Sequence, residues 1–376
     1  MELIKRQLHD IIEQDFFKGK AILLIGARQV GKSTLMNQIL ESHSEAILRL
    51  NCDDPEVRST LTNINTPELK LLIGNNRIVM IDEAQRVKNI GITLKMITDN
   101  FPQVQLLVTG SSSFQLQDAI NEPLTGRKWE YHLFPLSTAE ILRNGGLLAV
   151  KQNLENRLIY GSYPDVFNHV DNARKVLTNL SGSYLYKDLL SLEYVRKPAL
   201  LEKLLVALAL QVGSEVSYNE LAQTLNSDSK TIEKYIDLLE KCYIIFRLTA
   251  FNRNLRTELK KSRKIYFYDN GIRNAIIQNF SPLSLRNDTG ALWENFFISE
   301  RIKANHYNDH YAKSYFWRTT LQQEIDYIED YDGKFLAFEL KWNPKKSRVS
   351  LPSSFEKEYD VEQFVVITPE NYMQFL

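Results

Sequence analysis

Gly26, Gly31, Lys32 and Ser33 stand in the run Gly26-Ala27-Arg28-Gln29-Val30-Gly31-Lys32-Ser33, the spacing G-x-x-x-x-G-K-S. The apolar segment Ala21-Ile22-Leu23-Leu24-Ile25 precedes it, and Thr34-Leu35-Met36-Asn37-Gln38-Ile39-Leu40 follows. A buried strand, a glycine-rich turn and a helix in that order make a phosphate-binding loop. Glycine lets the backbone turn tightly enough for successive N–H groups to face phosphate oxygens. The helix start adds the positive end of its dipole. Lys32 is expected to reach the β- and γ-phosphates and Ser33 to ligate Mg²⁺. Residues 26–34, Thr34 included, form the expected nucleotide cradle. A surface lysine after an ordinary turn is the alternative, and both flanks count against it.

Two adjacent carboxylates supply the rest of such a site. Arg77-Ile78-Val79-Met80-Ile81 reads as a buried strand ending in Asp82-Glu83. Asp82 is expected to hold Mg²⁺ through its water shell, and Glu83 to polarise the attacking water. A third strand, Val104 to Thr109, runs into Gly110-Ser111-Ser112-Ser113. Ser111 there either senses the terminal phosphate or caps the next helix. Arg127, after Gly126, is the candidate charge-stabilising arginine, in cis or from a neighbouring subunit. A solvated or salt-bridged arginine is the competing reading.

A second acidic set lies near the C-terminus. Glu324-Ile325-Asp326-Tyr327-Ile328 and Phe335-Leu336-Ala337-Phe338-Glu339-Leu340-Lys341 read as strands joined by the turn pair Asp332-Gly333. Glu339 and Lys341 share a face because strand side chains alternate. Asp326 followed by Glu339-x-Lys341 resembles the PD-(D/E)xK nuclease motif. That resemblance implies metal held by Asp326 and Glu339, with Lys341 holding the water nucleophile or stabilising the developing charge. Glu294, on the preceding helix, is the accessory ligand. An ordinary cross-strand salt pair is the alternative, and no proline precedes Asp326.

The elements between these sets predict a winged helix-turn-helix. Leu201, Leu204, Leu205 and Leu208 mark one helix face, Ser217-Tyr218-Asn219-Glu220 caps a second helix, and Ile232, Tyr235, Ile236 and Leu239 line a third. Strands Tyr243–Phe246 and Ile265–Tyr268 follow. The wing gathers Arg247, Arg253, Arg256, Lys260, Lys261, Arg263 and Lys264 against Glu258 alone. Such a patch suits DNA phosphates; internal packing or protein contact is the other use.

A length of 376 residues exceeds one ordinary core. The divisions expected are 1–140 (P-loop domain), 141–200 (helical connector), 201–270 (winged helix) and 271–376 (nuclease-like). The fold class is α/β. Lys and Arg total 46 and Asp and Glu total 46, so any nucleic-acid surface must be local. Cys52 and Cys242 are too few for a zinc cluster and make no disulfide framework. The sequence offers no signal-peptide core and no membrane-length apolar run, so a cytoplasmic location without a membrane partner is expected.

Taken together, Gly26–Ser33, Asp82-Glu83, the Thr109-Gly110-Ser111 strand end and Gly126-Arg127 resemble the AAA-type ATPases of bacteria and archaea that carry a C-terminal DUF4143 region. Asn51-Cys52-Asp53-Asp54-Pro55, Phe134-Pro135-Leu136-Ser137 and Lys264-Ile265-Tyr266-Phe267-Tyr268-Asp269-Asn270-Gly271 extend the likeness over nearly the whole chain. It implies ATP and Mg²⁺ as cofactors, ATP hydrolysis, a winged helix and a nuclease-like domain. DNA as partner and homo-oligomers are further expectations.

Overall fold

A run of aliphatic side chains with no polar alternation is the mark of a parallel strand covered on both faces. Ala21–Gly26 is such a run, buried at every position, and forms β1 at the heart of a five-stranded sheet in the computed structural model. The structure describes residues 3–111, 123–185, 195, 197–252, 262–319, 321–346 and 348–376. The described chain divides into two compact units, one of residues 3–134 with 241–243, the other of 135–240 with 244–376.

In the first unit the sheet order is β2-β3-β4-β1-β5, from Ile47–Asn51 (β2), Ile78–Asp82 (β3), Gln105–Ser111 (β4) and Lys128–His132 (β5). Every pairing is parallel, so all five strands end on one edge. The helices are Gln7–Gln14 (α1), Lys32–Glu41 (α2), Pro55–Leu61 (α3), Thr66–Ile73 (α4) and Ile90–Asn100 (α5). Leu23, Ile25, Val79, Ile81, Leu106 and Val108 pack with Leu61, Leu69, Leu94 and Ile97 in one core layer. Ile22 and Leu24 point the other way and are equally buried.

The second unit opens with Thr138–Tyr160 (α6), entered through a capping box between Ser137 and Glu140 and kinked at Gly146. Pro164–Asn168 (α7), Ala173–Asn179 (α8), Pro198–Leu210 (α9), Tyr218–Thr224 (α10) and Ser229–Lys241 (α11) follow. Asn270–Ile276 (α12), Thr289–Tyr307 (α13) and Ser353–Glu358 (α14) complete its helices among the described residues. Its sheet has seven strands, Glu215–Val216 (β6), Ile245–Ala250 (β7), Arg263–Phe267 (β8), Lys313–Arg318 (β9), Glu324–Tyr331 (β10), Lys334–Leu340 (β11) and Val361–Ile367 (β12). The order is β12-β11-β10-β9-β7-β8-β6.

This sheet changes one expectation. The hairpin β7–β8 does not stand apart from the C-terminal strands: β7 pairs in parallel with β9 through Thr249–Tyr315 and Ala250–Phe316. Main-chain hydrogen bonds therefore continue from the expected wing into the expected nuclease-like region. No helix among the described residues is long and apolar enough to cross a membrane.

The motif ending Asp269-Asn270-Gly271 turns out to be a packing device. Asp269 accepts from Ile272 N at the start of α12 and from Ser162 N. A Cβ on Gly271 would stand 2.1 Å from Tyr160 O, so only glycine allows this approach. Nearby, buried Glu300 meets Arg157 at 3.1 Å and Lys303 at 2.7 Å and accepts from Thr138 N and Oγ1. Burial opposes its ionisation, yet Lys303 and Arg157 hold the carboxyl down at about 2. Removing one partner of a buried ion cluster strands the others. Glu300→Ala should therefore cost about 3–5 kcal/mol, read as a lower urea midpoint. A folded-state value below the unfolded one stabilises above the unfolded value. Wild type should lose this contribution as pH falls from the ordinary glutamate range toward about 2, and Glu300→Gln should not.

Candidate functional site

The parallel edge of the first sheet gathers the first acidic and glycine-rich set. β1 delivers Gly26, where a Cβ would lie 2.2 Å from Leu133 O, so the loop must begin with glycine. Gly31 has φ +96° and is the N-cap of α2, and as a glycine it supplies no side-chain cap. By contrast α3 and α4 are capped by Asp54 and Asn65. An uncapped helix start behind a glycine turn leaves donors for an anion. Lys32 is 6% exposed, and its Nζ donates to Gly26 O at 3.0 Å and Ala27 O at 2.9 Å.

Asp82 ends β3 beside that loop. Ser33 Oγ donates to Asp82 Oδ2 at 2.9 Å and lies 3.2 Å from Oδ1. The Glu83 N–H donates to Asp82 Oδ1 at 3.1 Å, and Thr109 Oγ1 donates to the same oxygen. Glu83 itself takes a left-handed conformation at φ 53°, an unusual one for a glutamate, and accepts from Gln85 Nε2. A hydroxyl from the phosphate loop and a strand-end carboxylate fit a magnesium ion held through Ser33 and Asp82.

Two neighbours of Asp82 were not singled out by sequence. Thr109 is completely buried and contacts the carboxylate, two residues before the first of the serines that the sequence points to. Ser111 ends β4 in register with Gly26; its side chain, with Ser112 and Ser113, lies outside the described residues. The signal for Thr109 is its place as the first polar side chain after the apolar run Leu106-Leu107-Val108. Cys52, buried, donates its N–H to Asp82 O at 3.0 Å, and burial together with the Asp82 charge pushes its thiol up to about 12. Asn51 pairs with Asp82 in the β2–β3 register, which explains the Asn51–Pro55 segment as the rim of this edge.

Arg127 is corrected as a cis group. Its carbonyl accepts from Ala21 N, at the start of β1, whereas the phosphate loop leaves the other end. Parallel register thus puts the length of a six-residue strand, roughly 17 Å, between Arg127 and Gly26. Its guanidinium pairs with Asp99 at 2.6 Å.

The second acidic set assembles in the seven-stranded sheet. Asp332 and Gly333, at φ 52° and 86°, make the two-residue turn between β10 and β11. A bulge between Ile325 and Ile328 re-aims Asp326, whose Oδ2 accepts from Leu340 N at 2.8 Å. Burial raises the Asp326 carboxyl, and burial with the Asp326 charge raises Glu339. Lys341 Nζ donates to Glu339 Oε1 at 2.5 Å. Glu294, from α13, is pushed up to about 7 by burial, which with the Asp326 charge outweighs the pull of Lys264.

Lys264 changes the chemistry of this cluster. Its side chain is 3% exposed, and Nζ lies 3.1 Å from Glu294 Oε1 and 2.6 Å from Glu324 Oε1. Tyr266 OH donates to Glu294 Oε1 at 2.6 Å. The expected accessory metal ligand is thus engaged by an ammonium and a phenol. Among the described residues, no three or more acidic, histidine or cysteine side chains are grouped to hold a metal ion. Lys264 and Lys341 thus stand among four carboxylates, those of Glu294, Glu324, Asp326 and Glu339, and engage three of them directly.

The same contacts shrink the expected basic wing. Lys264 faces inward, Arg247 pairs with Asp237 at 2.7 Å and with Glu240, and Arg263 stacks on Tyr218 and lies 3.7 Å from Glu233. The mixed charge of α11 supplies those acids. Arg253, Arg256, Lys260 and Lys261 lie outside the described residues.

Three family models match successive parts of the chain. The family model described as "AAA domain" matches residues 18–142. "Domain of unknown function (DUF8612)" matches 151–283, and "Domain of unknown function (DUF4143)" matches 289–375. An uncharacterized protein of Mycobacterium tuberculosis is 27% identical over 358 residues, covering 93% of this chain and 73% of that protein. One from Haemophilus influenzae is 26% identical over 297 residues, covering 72% of each. Among solved structures, the Thermotoga maritima RuvB Holliday junction branch migration motor is 17% identical, covering 70% of this chain and 92% of that one, with a TM-score of 0.35. The Candida albicans Pif1 helicase is 15% identical, covers 48% of each chain and has a TM-score of 0.28. This chain carries an N-terminal AAA domain at residues 18–142 and a C-terminal DUF4143 domain at residues 289–375.

Proposed function

We propose that residues 18–142 bind ATP with Mg²⁺ and hydrolyse it, using Lys32, Ser33, Asp82 and Glu83. The observation that carries this reading is the hydrogen bond from Ser33 Oγ to the Asp82 carboxylate. It brings two halves of a nucleotide site, distant in sequence, to one point. The N–H groups of residues 27–34 cradle the phosphates, and Lys32 exchanges loop carbonyls for β- and γ-phosphate oxygens. Ser33 and Asp82 would hold Mg²⁺, whose charge neutralises phosphate oxygens. Glu83 takes a proton from water as the water oxygen bonds to the γ-phosphorus and the bond to the ADP oxygen breaks. Thr109 is a positioning residue that fixes the Asp82 carboxylate.

A second reading concerns the DUF4143 region. The lysine lodged between Glu294 and Glu324 supports a non-cleaving scaffold with a nuclease-like strand and helix order. The succession of α9, α10, α11 and the β7–β8 hairpin supports a winged helix. DNA contact would then fall to Arg253, Arg256, Lys260 and Lys261.

Lys32→Ala should abolish tight ATP binding in calorimetry. Glu83→Gln should keep binding and lower kcat by about 10²–10⁴. A Glu83→Gln enzyme with wild-type turnover would remove that role.

Thr109→Val keeps the shape of the side chain and removes its donor. It should raise the Mg²⁺ concentration needed for half-maximal ATPase activity several-fold, with a smaller change in ATP affinity measured without metal. Unchanged metal dependence would leave Thr109 a core residue only.

With ATP and Mg²⁺ or Mn²⁺, the full chain should leave single-stranded, duplex and branched DNA and RNA intact. It should nonetheless bind DNA with a steep inverse dependence on salt, flattened by reversing the charges of Arg253, Arg256, Lys260 and Lys261. Nicking lost in Asp326→Ala would overturn the scaffold reading. Equal affinity of wild type and the reversed variant would overturn the DNA reading.

A further inference from the structure

Arg6 is the N-cap residue of α1 and is 5% exposed. Its guanidinium does not cap the helix. Nη1 donates to Val30 O at 2.7 Å, and Nη2 donates to Phe134 O at 2.5 Å. Val30 is the last residue of the phosphate loop before Gly31. A Cβ placed on Gly31 would lie 3.6 Å from Arg6 Nη1, so the guanidinium lies close against that glycine. Phe134 follows Leu133, whose N–H donates to Ile25 O at 2.8 Å. One planar fork thus ties the far side of the loop to the chain just beyond β5.

In a trans peptide the carbonyl and the following N–H point in opposite directions. Fixing Val30 O toward Arg6 therefore fixes the Gly31 N–H away from it. The Val30–Gly31 peptide is the one most prone to rotate, because glycine at φ +96° has little steric preference for either orientation. We propose that Arg6 is a positioning residue for the phosphate loop: its hydrogen bond to Val30 O holds the Gly31 N–H turned inward, as a preset donor to a nucleotide phosphate. The inference rests on the reading of residues 26–34 as an ATP site. It adds a residue from outside that loop and assigns it the polyphosphate part of ATP.

Two donors to fixed carbonyls demand the planar fork of arginine. Lysine offers one compact ammonium and can satisfy only part of that geometry. Without that bond the peptide is free to turn, and the affinity falls by the fraction of loops left in the competent orientation.

The experiment uses the full chain and four proteins: wild type, Arg6→Ala, Arg6→Lys and the surface control Lys5→Ala. Calorimetry gives Kd for Mg·ATP and for inorganic tripolyphosphate, steady-state assays give KM and kcat, and urea titration gives the folded fraction. Arg6→Ala should weaken ATP and tripolyphosphate by about the same factor, tenfold or more. KM should rise in step while kcat falls less. Arg6→Lys should recover part of the affinity, and Lys5→Ala should match wild type. A structural role alone would shift the urea midpoint and leave Kd of the folded protein unchanged, which overturns the proposal. Should Arg6→Ala fail to fold, Arg6→Lys decides it: wild-type affinity for both ligands overturns the proposal, and a shared loss supports it. Failure of wild type itself to bind ATP would overturn the underlying site reading instead.

Discussion

The carboxylate of Asp82 is the contact on which the first unit is organised. It accepts from Ser33 on the phosphate-loop helix, from Thr109 on the adjoining strand and from the N–H of Glu83. Its backbone oxygen takes the Cys52 N–H from the strand on its other side. Three segments distant in sequence, those of Ser33, Cys52 and Thr109, are thereby fixed around one residue. A carboxylate at that position is well served because donors surround it. The parallel sheet makes this convergence possible, since every strand ends on one edge.

Acids in the second unit meet a different fate. Glu294 and Glu324 are served by Lys264 and Glu339 by Lys341, and the bulge in β10 turns Asp326 back onto the main chain at Leu340. At the edge of the first sheet the donors to Asp82 are two hydroxyls and an amide. In the acidic cluster two lysines of the chain itself pair with three of the carboxylates. Residue type and spacing alone do not reveal this contact: Lys264 lies on β8, with β7 and β9 between it and β10.

That difference sets how much of the molecule was legible beforehand. The phosphate loop and Asp82-Glu83 could be read from residues because their strands are continuous apolar runs whose ends are unambiguous. Thr109 was hidden because a threonine inside a β-rich segment reads as strand. Lys264 looked like one more wing cation, since sequence periodicity does not reveal that β7 pairs with β9 and draws the hairpin into a larger sheet. Arg127 misled for a related reason: it follows the core in sequence, but the parallel return of β5 begins at the end of β1 remote from the loop. Arg6 carried no local signal, because its partners lie 24 and 128 residues away.

The central claim is that Ser33 and Asp82 act as one unit in holding the metal–nucleotide complex. A double-mutant cycle on Mg·ATP affinity, with Ser33→Ala, Asp82→Asn and the double variant, tests this most directly. Residues sharing one network show coupling of about 0.5–3 kcal/mol, so the double variant should lose clearly less affinity than the two single losses added. Losses that simply add, with no coupling between the two positions, would contradict it.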